Sequence, residues 1–365
     1  MNVNYEVLNK FLDVDSLELE YHRVTNNIND IDIEEGVEII FKYYRKYGFP
    51  HYTIRDDEKY THMKKLRKFD IDTIFIDNQI MQTMHCLRLA WTYFPHFWEV
   101  RCGGAKMSPM EIFLDDDKLK STIRKTWNWS LKHWGSKEGS KEGNDKKKFR
   151  ENRFRQSLKI YSGTQSVSNF RPTAAKLIYE KFGGDVVWDM SCGWGGRLLG
   201  FLAASNTKHY IGTEPSSKTY DGLQKMVKDF SYFEKQVDIY KLGSEEYKPK
   251  KESLDLCFTS PPYFDTEKYS DEDTQSYKKF PTKDGWVNGF LRKTIQNCYD
   301  GLKDNKYMLM NIANTPKYNF IEEETIRISK ELGFVQEDTL QLTLSSVMGA
   351  GYKYEPVFVF RKESK

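Results

Sequence analysis

The sequence predicts an α/β fold: a doubly wound, mostly parallel sheet in the second half of the chain, preceded by a mostly helical region. An apolar stretch at 186–188 is followed by a glycine-rich turn and by a helical pattern from Arg197, the strand–turn–helix order of a crossover. A second apolar run at 254–259 has the composition of a buried parallel strand and stops at two consecutive prolines. The carboxyl ends of such strands face a ligand crevice.

The first third of the chain has the patterns of amphipathic helices. Apolar residues keep helical spacing across 33–44, and Gly48 supplies a stop. A capping-box pattern with proline at the first helical position begins at Ser108. Apolar residues recur at helical spacing again across 119–134. We therefore predict a mostly helical region at 1–134, with most of its aromatic side chains in the core.

A polar, glycine-rich stretch at 135–145 predicts a flexible loop, and a basic run follows it within a predicted linker at 135–160. Two aromatic residues, Phe149 and Phe154, interrupt this run. The basic residues are Lys146, Lys147, Lys148, Arg150, Arg153 and Arg155. A charge run is usually a solvated face. If the remainder of the chain acts on a nucleic acid, contact with the phosphate backbone becomes the favoured interpretation.

Composition is that of a globular protein and excludes few functions. The 365 residues suffice for one large or two ordinary domains, and the net charge of +3 is too small to indicate a nucleic-acid partner. No apolar run approaches the roughly 18 residues of a membrane span, and no N-terminal segment has a signal-peptide layout. The five cysteines are scattered and the seven histidines form no cluster, so we expect reduced thiols and no metal site.

The glycine-rich turn has the pattern Asp-x-x-x-Gly-x-Gly, from Asp189 to Gly195. It differs from the dinucleotide pattern Gly-x-Gly-x-x-Gly, and no Lys-Ser/Thr follows that would make it a phosphate-binding loop. Glycines let the backbone approach a ligand closely. Roughly 20 residues past the glycines, Glu214 ends the next predicted strand, 209–213, where an acidic side chain suits the two hydroxyls of a ribose.

Ser260-Pro261-Pro262-Tyr263 is the most informative motif in the chain. Because prolines cannot donate ladder hydrogen bonds, the strand at 254–259 must stop here and the chain must turn. An exocyclic amino group of a nucleobase needs acceptors at its N–H groups, and Ser260 Oγ and the Pro261 carbonyl oxygen are suitable. Tyr263 can stack on a flipped base. Taken alone, the motif could also be a proline turn without chemistry.

The sequence after the Ser260–Tyr263 motif predicts further elements of the doubly wound fold. Helical and strand-like segments alternate and end in two closing strands separated by a glycine-containing loop. The predicted elements are a helix at 286–302, a strand at 307–312, a helix at 321–332, and strands at 340–344 and 356–360.

Residues from about 165 to the C-terminus resemble the S-adenosylmethionine-dependent amino methyltransferases that act on adenine N6 or cytosine N4 of DNA. Their catalytic motif is similar to Ser260-Pro261-Pro262-Tyr263, so the resemblance assigns catalysis to these four residues. Their cofactor loop is similar to 189–195, and the segment that closes over the methionine end of their cofactor is similar to 170–172. The cofactor-binding residues that the resemblance implies are Phe170, Pro172, Asp189, Ser191, Gly193, Gly195, Glu214 and Glu245.

The assignment of Glu245 leaves an alternative open. By resemblance, Glu245 faces the adenine of the cofactor, after the predicted strand near 238–240. Glu246 could take its place, or the acidic turn could be simply solvated. The two closing strands resemble the reversed hairpin of this methyltransferase sheet, and the methyltransferase domain is expected at 161–365.

The resemblance implies methyl transfer from S-adenosylmethionine to an exocyclic amino group of a flipped base in double-stranded DNA, in the cytoplasm of a bacterial or phage-infected cell. Cytosine N4 is favoured over adenine N6, because serine precedes Pro261 and this variant is commoner among the cytosine enzymes of the family. The short distance between the motifs leaves no room for a recognition domain between them. Recognition would fall to the helical region, to the loop 264–284 or to a partner.

Three other functions remain open. The chain could be a methyltransferase of the same fold that acts on RNA or on a protein amide. It could be a cofactor- or DNA-binding module without catalysis, which the intact Ser260 and Tyr263 disfavour. It could also be another Rossmann-like enzyme, which the Asp-x-x-x-Gly-x-Gly spacing disfavours. The oligomeric state, the recognition sequence and the biological setting are not indicated.

Overall fold

A computed structural model describes residues 15–132, 147–160, 163–347 and 351–364. The chain divides into two compact units, each formed by two stretches of sequence. One unit consists of the stretch up to His51 together with Trp98–Val167, and the other of Tyr52–Phe97 together with Ser168–Lys365. Within the described ranges, no helix is both long enough and apolar enough to cross a bilayer.

The first unit is helical; the predicted helical region 1–134 is divided between the two units, and the predicted linker 135–160 includes a helix of the first unit. Its helices are Ser16–Asn26, Ile33–Tyr47, Pro109–Leu114, Asp116–Lys132 and Glu151–Ile160, and a two-residue strand lies at Arg101–Cys102. The helix from Pro109 begins with the predicted capping box, in which Glu111 N–H donates to Ser108 Oγ at 3.2 Å and Ser108 N–H to Glu111 Oε2 at 2.7 Å. The predicted loop at 135–145 and Lys146 lie outside the described residues.

The second unit contains the predicted doubly wound sheet. We number its seven long strands in chain order: β1 Val186–Asp189, β2 His209–Thr213, β3 Gln236–Tyr240, β4 Leu254–Thr259, β5 Leu302–Asn311, β6 Phe334–Val347 and β7 Gly351–Lys362. Their order in the sheet is β6-β7-β5-β4-β1-β2-β3. Two short strands, Phe75–Ile76 and Gln79–Ile80, extend the sheet beyond β6.

Strands β1 to β5 are mutually parallel, so their carboxyl ends share one edge of the sheet. Strand β7 runs antiparallel to both β5 and β6, which confirms the reversed hairpin. Strand β4 is buried along its whole length, as its mostly apolar sequence predicts, and Asp255 is its one charged residue. The structure therefore confirms the α/β doubly wound fold, with β6 and β7 longer than predicted.

Helices and turns connect the strands and cover the sheet. The helices are Asp56–Arg67, Leu87–Trp91, Pro172–Phe182, Gly196–Ala203, Ser217–Asp229, Ser276–Lys279, Lys283–Trp286, Arg292–Gly301 and Ile321–Glu331, with a π turn at Val287–Leu291 and a two-residue strand at Glu267–Lys268. The early segment Tyr52–Phe97 belongs to this unit, and two of its aromatic side chains pack near Trp194, which lies between the two glycines of the β1 turn. Ring centroids of Trp91 and Phe94 are each 5.8 Å from that of Trp194.

Candidate functional site

The turn after β1 is organised by Asp189, which is completely buried. Its Oδ2 accepts hydrogen bonds from Arg197 Nε at 2.9 Å and from the Tyr210 hydroxyl at 2.7 Å. Its Oδ1 accepts from the Thr259 hydroxyl at 3.2 Å and from Ser191 N–H at 3.3 Å. Protein donors thus occupy both oxygens, so Asp189 shapes the turn and links β1 to β2 and β4.

Gly193 and Gly195 have different roles in this turn. Gly193 and Gly195 have φ of +55° and +70°, a region that favours glycine. A Cβ on Gly195 would lie 2.6 Å from Met226 Cε, whereas the nearest atom to a Cβ on Gly193 would be 3.7 Å away. Gly193 is therefore required by backbone conformation and leaves space beside it, while Gly195 is also enclosed by packing. That space beside Gly193 is where a ligand can approach the backbone.

Glu214 lies directly after β2 and reaches back to the β1 turn. Its Oε2 accepts from Gly193 N–H at 3.1 Å, and its Oε1 accepts from Ser216 N–H at 3.0 Å. Burial raises the pKa of Glu214 to about 7, against the lowering effect of these two backbone donors. A carboxylate oxygen can accept more than one hydrogen bond, so both oxygens retain capacity for the hydroxyls of a ligand.

Glu245 lies five residues after the end of β3, and its side chain is 4% exposed compared with 53% for Glu246. Lys279 forms an ion pair with Glu245 Oε1 and approaches Glu246 Oε2 at 3.2 Å. Glu245 Oε2 is buried and has no hydrogen-bond partner among the described residues. Its burial sets Glu245 apart from a solvated acidic turn, and Lys279 is a partner that sequence reasoning missed.

The Ser260–Tyr263 corner follows β4 at the same sheet edge as the glycine turn. Thr259, the last residue of β4, makes the 3.2 Å hydrogen bond to Asp189 described above, so the corner and the turn are joined by adjacent side chains. Pro261 is buried, whereas Ser260 is only half-buried. The chain therefore turns at the prolines as predicted, with Ser260 half-buried immediately before them.

Tyr263 has its hydroxyl directed into the protein. The hydroxyl donates to the Asn311 carbonyl oxygen, at the end of β5, at 3.2 Å, and lies 3.4 Å from Glu355 Oε2 on β7. Burial, together with the charge of Glu355, raises the pKa of Tyr263 well above its ordinary value. Burial also raises the pKa of Glu355. These contacts fix the ring beside the corner, and no signal in the sequence connects Glu355 with Tyr263.

The segment after Tyr263 makes hydrogen bonds to the loop that follows β2 and an aromatic contact with the loop that follows β1. Glu272 accepts from Ser217 N–H at 3.0 Å and from the Ser217 hydroxyl at 2.7 Å. The Thr274 hydroxyl donates to the Pro215 carbonyl oxygen at 3.1 Å, and the Tyr269 ring centroid lies 5.9 Å from that of Trp194. Part of the predicted recognition loop 264–284 is therefore attached to the candidate cofactor loops.

The segment before helix Pro172–Phe182 also meets the β1 turn. The side-chain amide of Asn169 donates to the Trp194 carbonyl oxygen at 2.9 Å. A Cβ on Gly196 would lie 1.9 Å from the Phe170 carbonyl oxygen, so only glycine permits this approach. The Phe170 ring is buried with its edge against Phe258. The structure thus places the Phe170 backbone beside the turn, and the assignment of Phe170 and Pro172 to the cofactor stays a prediction.

The predicted basic run lies in the helical unit and is only partly exposed. Phe149 and Phe154 are buried in the core of that unit. The side chain of Arg155 is 11% exposed; it forms an ion pair with Glu151 and donates to the Pro50 carbonyl oxygen at 3.3 Å. The exposed basic residues of the run are Lys148, Arg150 and Arg153, and Lys147 is half-buried.

The chain has no match among protein-family models and none among curated proteins. Solved structures of low identity share part of its fold. Magnesium protoporphyrin IX methyltransferase from Synechocystis PCC 6803 is 14% identical, with 49% of this chain and 71% of that chain covered and a TM-score of 0.35. A TehB-like S-adenosylmethionine-dependent methyltransferase from Corynebacterium glutamicum is 15% identical, with 54% and 90% covered and a TM-score of 0.35.

The similar structures are not all methyltransferases. The [4+2]-cyclase SpnF is 10% identical, with 53% of this chain and 82% of that chain covered and a TM-score of 0.38. At these identities and TM-scores the likeness does not indicate a function, because one fold hosts many unrelated activities.

Proposed function

We propose that this protein is an S-adenosylmethionine-dependent DNA methyltransferase that modifies an exocyclic amino group of a flipped base, with cytosine N4 favoured. One observation carries the proposal: the Ser260–Tyr263 corner adjoins the glycine turn of β1 through the Thr259–Asp189 hydrogen bond. An amino-group acceptor site and a nucleoside-type loop thus share one sheet edge. The resemblance of both motifs to those of the amino methyltransferases supports the same conclusion.

The described residues fit this cofactor. Gly193 leaves space for close approach to the backbone, and the oxygens of Glu214 suit the two hydroxyls of a ribose. Glu245 keeps one buried oxygen without a partner, where the amino group of an adenine could donate. When bound, S-adenosylmethionine supplies a methyl group on a positively charged sulfur, which is an excellent leaving group.

The chain's own residues orient the amino group. Ser260 Oγ and the Pro261 carbonyl oxygen accept hydrogen bonds from its N–H groups, which keeps the nitrogen lone pair free to form the new N–C bond. The nitrogen gains a methyl group and releases one proton to water, and S-adenosylhomocysteine would be the second product. The hydroxyl of Tyr263 contacts Asn311 and Glu355, and these contacts fix the position of its ring. A flipped base can pack against this ring. Positioning and electrostatics supply most of the rate.

Cofactor affinity is expected to depend on pH through Glu214. An ionised carboxylate accepts ribose hydrogen bonds more strongly than its protonated form does. With a pKa of about 7, S-adenosylhomocysteine should bind roughly tenfold more weakly at pH 6 than at pH 8. Calorimetry across this range measures the effect. Glu214→Gln should bind S-adenosylhomocysteine more weakly than the wild type at pH 8, and its affinity should not change with pH. If the affinity of the variant changes with pH as much as that of the wild type, a group other than Glu214 titrates.

The raised pKa of Glu214 makes folding stability change with pH in the direction opposite to cofactor affinity. The pKa of Glu214 is raised from 4.5 to about 7 on folding. Its contribution to folding is therefore fully present below pH 4.5 and is lost as the pH rises through about 7. The structure without ligand should be slightly less stable at pH 8 than at pH 6, while cofactor binding strengthens over that interval.

The basic run is expected to contact the phosphate backbone. Replacing Lys146, Lys147 and Lys148 by glutamine should weaken DNA binding and reduce the salt dependence by about 0.9 in log–log slope per lost contact. Binding titrations at several salt concentrations measure this slope. Three exposed lysines in the turn before β4, Lys248, Lys250 and Lys251, provide a matched triple variant that should leave it unchanged. If both triple variants show the same salt dependence of DNA binding, the basic run does not contact the phosphate backbone and is a solvated face.

The class of substrate is tested by transfer of a labelled methyl group. The protein is incubated with methyl-labelled S-adenosylmethionine and, in separate reactions, DNA, RNA and protein. The proposal expects label in DNA that is absent when Ser260 is replaced by alanine. Label in RNA or protein alone would identify the alternative methyltransferases of this fold. Cofactor binding without transfer to any of the three would favour a binding module.

A further inference from the structure

The groups proposed to contact the amino nitrogen cannot keep the proton that this nitrogen loses. Methyl transfer passes the positive charge of the sulfur to the nitrogen, which thereby becomes acidic. The Ser260 hydroxyl and the Pro261 carbonyl oxygen accept hydrogen bonds, but both are too weakly basic to hold a proton near neutral pH. The proton therefore leaves the corner either directly to water or through a neighbouring group.

Glu355 is a carboxylate that the sheet brings to this corner. Strand β7 runs antiparallel to β5 with Val357 opposite Asn311, so Glu355 lies just beyond the carboxyl end of β5. There its Oε2 is 3.4 Å from the Tyr263 hydroxyl. The residue is half-buried. Glu355 can therefore contact both the corner and the solvent.

Two hydroxyls connect Glu355 with the position proposed for the amino group. Burial raises the pKa of Tyr263, and a side-chain hydrogen bond with Ser260 acts in the opposite direction. The Tyr263 hydroxyl thus contacts Ser260 on one side and Glu355 on the other. Each hydroxyl has one proton to donate and lone pairs to accept another, so the two can pass a proton along. Contacts of 3.4 Å commonly tighten when a substrate binds.

We propose that Glu355 takes up the proton of the methylated amino group through a relay formed by the hydroxyls of Ser260 and Tyr263. This inference rests on the proposed function and adds a residue to its mechanism. The nitrogen donates its proton to Ser260 Oγ, Ser260 donates to Tyr263 Oη, and Tyr263 donates to Glu355 Oε2. One N–H bond breaks, one O–H bond forms on the carboxylate, and both hydroxyls end neutral. Because Glu355 is half-buried, it then passes the proton to water.

The surroundings of Glu355 make the relay depend on pH. Burial raises the pKa of Glu355 from 4.5, hydrogen bonds with Asn311 and Tyr263 lower it, and the facing charges of Glu267 and Glu322 raise it further. Only the ionised carboxylate can accept a proton. The rate of methyl transfer should therefore fall as the pH is lowered through the pKa of Glu355.

Glu355→Gln separates proton uptake from positioning, because the amide oxygen still accepts from Tyr263 but cannot take up a proton. Single-turnover rates are measured against pH with unmethylated DNA of mixed sequence. Saturating S-adenosylmethionine keeps the titration of Glu214 out of the rate. Glu355→Gln should lower the rate by about 10²-fold, as for a lost general base, and remove its fall at acidic pH. The affinities for S-adenosylhomocysteine and DNA should stay as in the wild type, and Glu355→Asp should recover part of the rate.

Two further variants control this experiment. Glu337→Gln replaces an exposed glutamate on β6 that pairs with Arg361, and it should leave the rate and its pH dependence unchanged. Tyr263→Phe interrupts the relay at its second hydroxyl, so it should lose the same fall at acidic pH. Combined with Glu355→Gln, it should be no slower than the slower single variant. If thermal unfolding shows that Glu355→Gln does not fold, the pH dependence of Tyr263→Phe decides.

The possible outcomes distinguish the relay from its alternatives. A wild-type rate and pH dependence in Glu355→Gln would overturn the inference, and the proton would then leave directly to water. A lowered rate that keeps the wild-type pH dependence would also overturn it and make Glu355 a positioning residue. A wild type that binds S-adenosylhomocysteine but transfers no methyl group to DNA would contradict the proposed function itself.

Discussion

Replacement of Ser260 or Tyr263 by alanine is expected to remove most methyl transfer while leaving the affinity for S-adenosylhomocysteine nearly unchanged. Ser260 Oγ accepts a hydrogen bond from the amino group, and Tyr263 contacts the base, so neither touches the nucleoside half of the cofactor in this proposal. Loss of one preorganised hydrogen-bonding group at a reacting centre lowers turnover by about 10²- to 10³-fold. Single-turnover kinetics with the DNA substrate measures the loss, and calorimetry measures the affinity.

A second tyrosine variant separates the ring from the hydroxyl. Tyr263→Phe keeps the ring but loses the contacts with the Asn311 carbonyl oxygen and Glu355. It should retain more activity than Tyr263→Ala, because a phenyl ring can still pack against the base. If Tyr263→Phe is as inactive as Tyr263→Ala, the hydroxyl or its link to Glu355 is the essential part. Full activity of Ser260→Ala would remove the corner from the mechanism.

Asp189→Ala is expected to destabilise the sheet unit strongly. Its carboxylate neutralises the buried Arg197 and accepts hydrogen bonds from four donors, and removal of one partner of a buried ion pair costs about 3–5 kcal/mol. The midpoint of thermal unfolding should fall by about 2–4 °C for each kcal/mol in a unit of this size. Differential scanning calorimetry measures the midpoint, and saturating S-adenosylhomocysteine should recover part of the loss.

A double variant identifies the cause. Asp189→Leu combined with Arg197→Leu removes both charges, so it should be less destabilised than Asp189→Leu alone. This result is expected only if the buried charge of Arg197 dominates the penalty. A wild-type midpoint for Asp189→Ala, together with weaker cofactor binding, would instead mean that Asp189 contacts the ligand directly and does not mainly shape the turn.

Local sequence patterns predict the parts of the site that each lie on one segment. The apolar run of β4, which stops two residues before Pro261, and the Asp-x-x-x-Gly-x-Gly turn of β1 both appear in the structure where the sequence predicts them. Each depends on local chemistry: prolines end a strand, and glycines adopt positive φ. The carboxyl ends of parallel strands then bring the two motifs to one edge without further information.

Contacts between distant segments account for what the sequence does not reveal. Glu355 lies 92 residues from Tyr263, and Lys279 lies 34 residues from Glu245. Neither pair follows from spacing or propensity, because tertiary packing alone brings it together. The buried positions of Phe149 and Phe154 are likewise invisible in a basic run, where charge dominates the pattern. The membership of Tyr52–Phe97 in the sheet unit likewise involves distant contacts, since its two short strands extend the sheet and Trp91 and Phe94 lie near Trp194.

The most direct test of the central claim is the identity of the methylated nucleoside. DNA is reacted with S-adenosylmethionine that carries a deuterated methyl group, digested to nucleosides and analysed by mass spectrometry. We predict a labelled methyl group on an exocyclic amino nitrogen, as N4-methylcytosine, and N6-methyladenine would change only the choice of base. A label on a ring carbon such as cytosine C5, or no labelled nucleoside from DNA in the presence of bound cofactor, would contradict the proposed function.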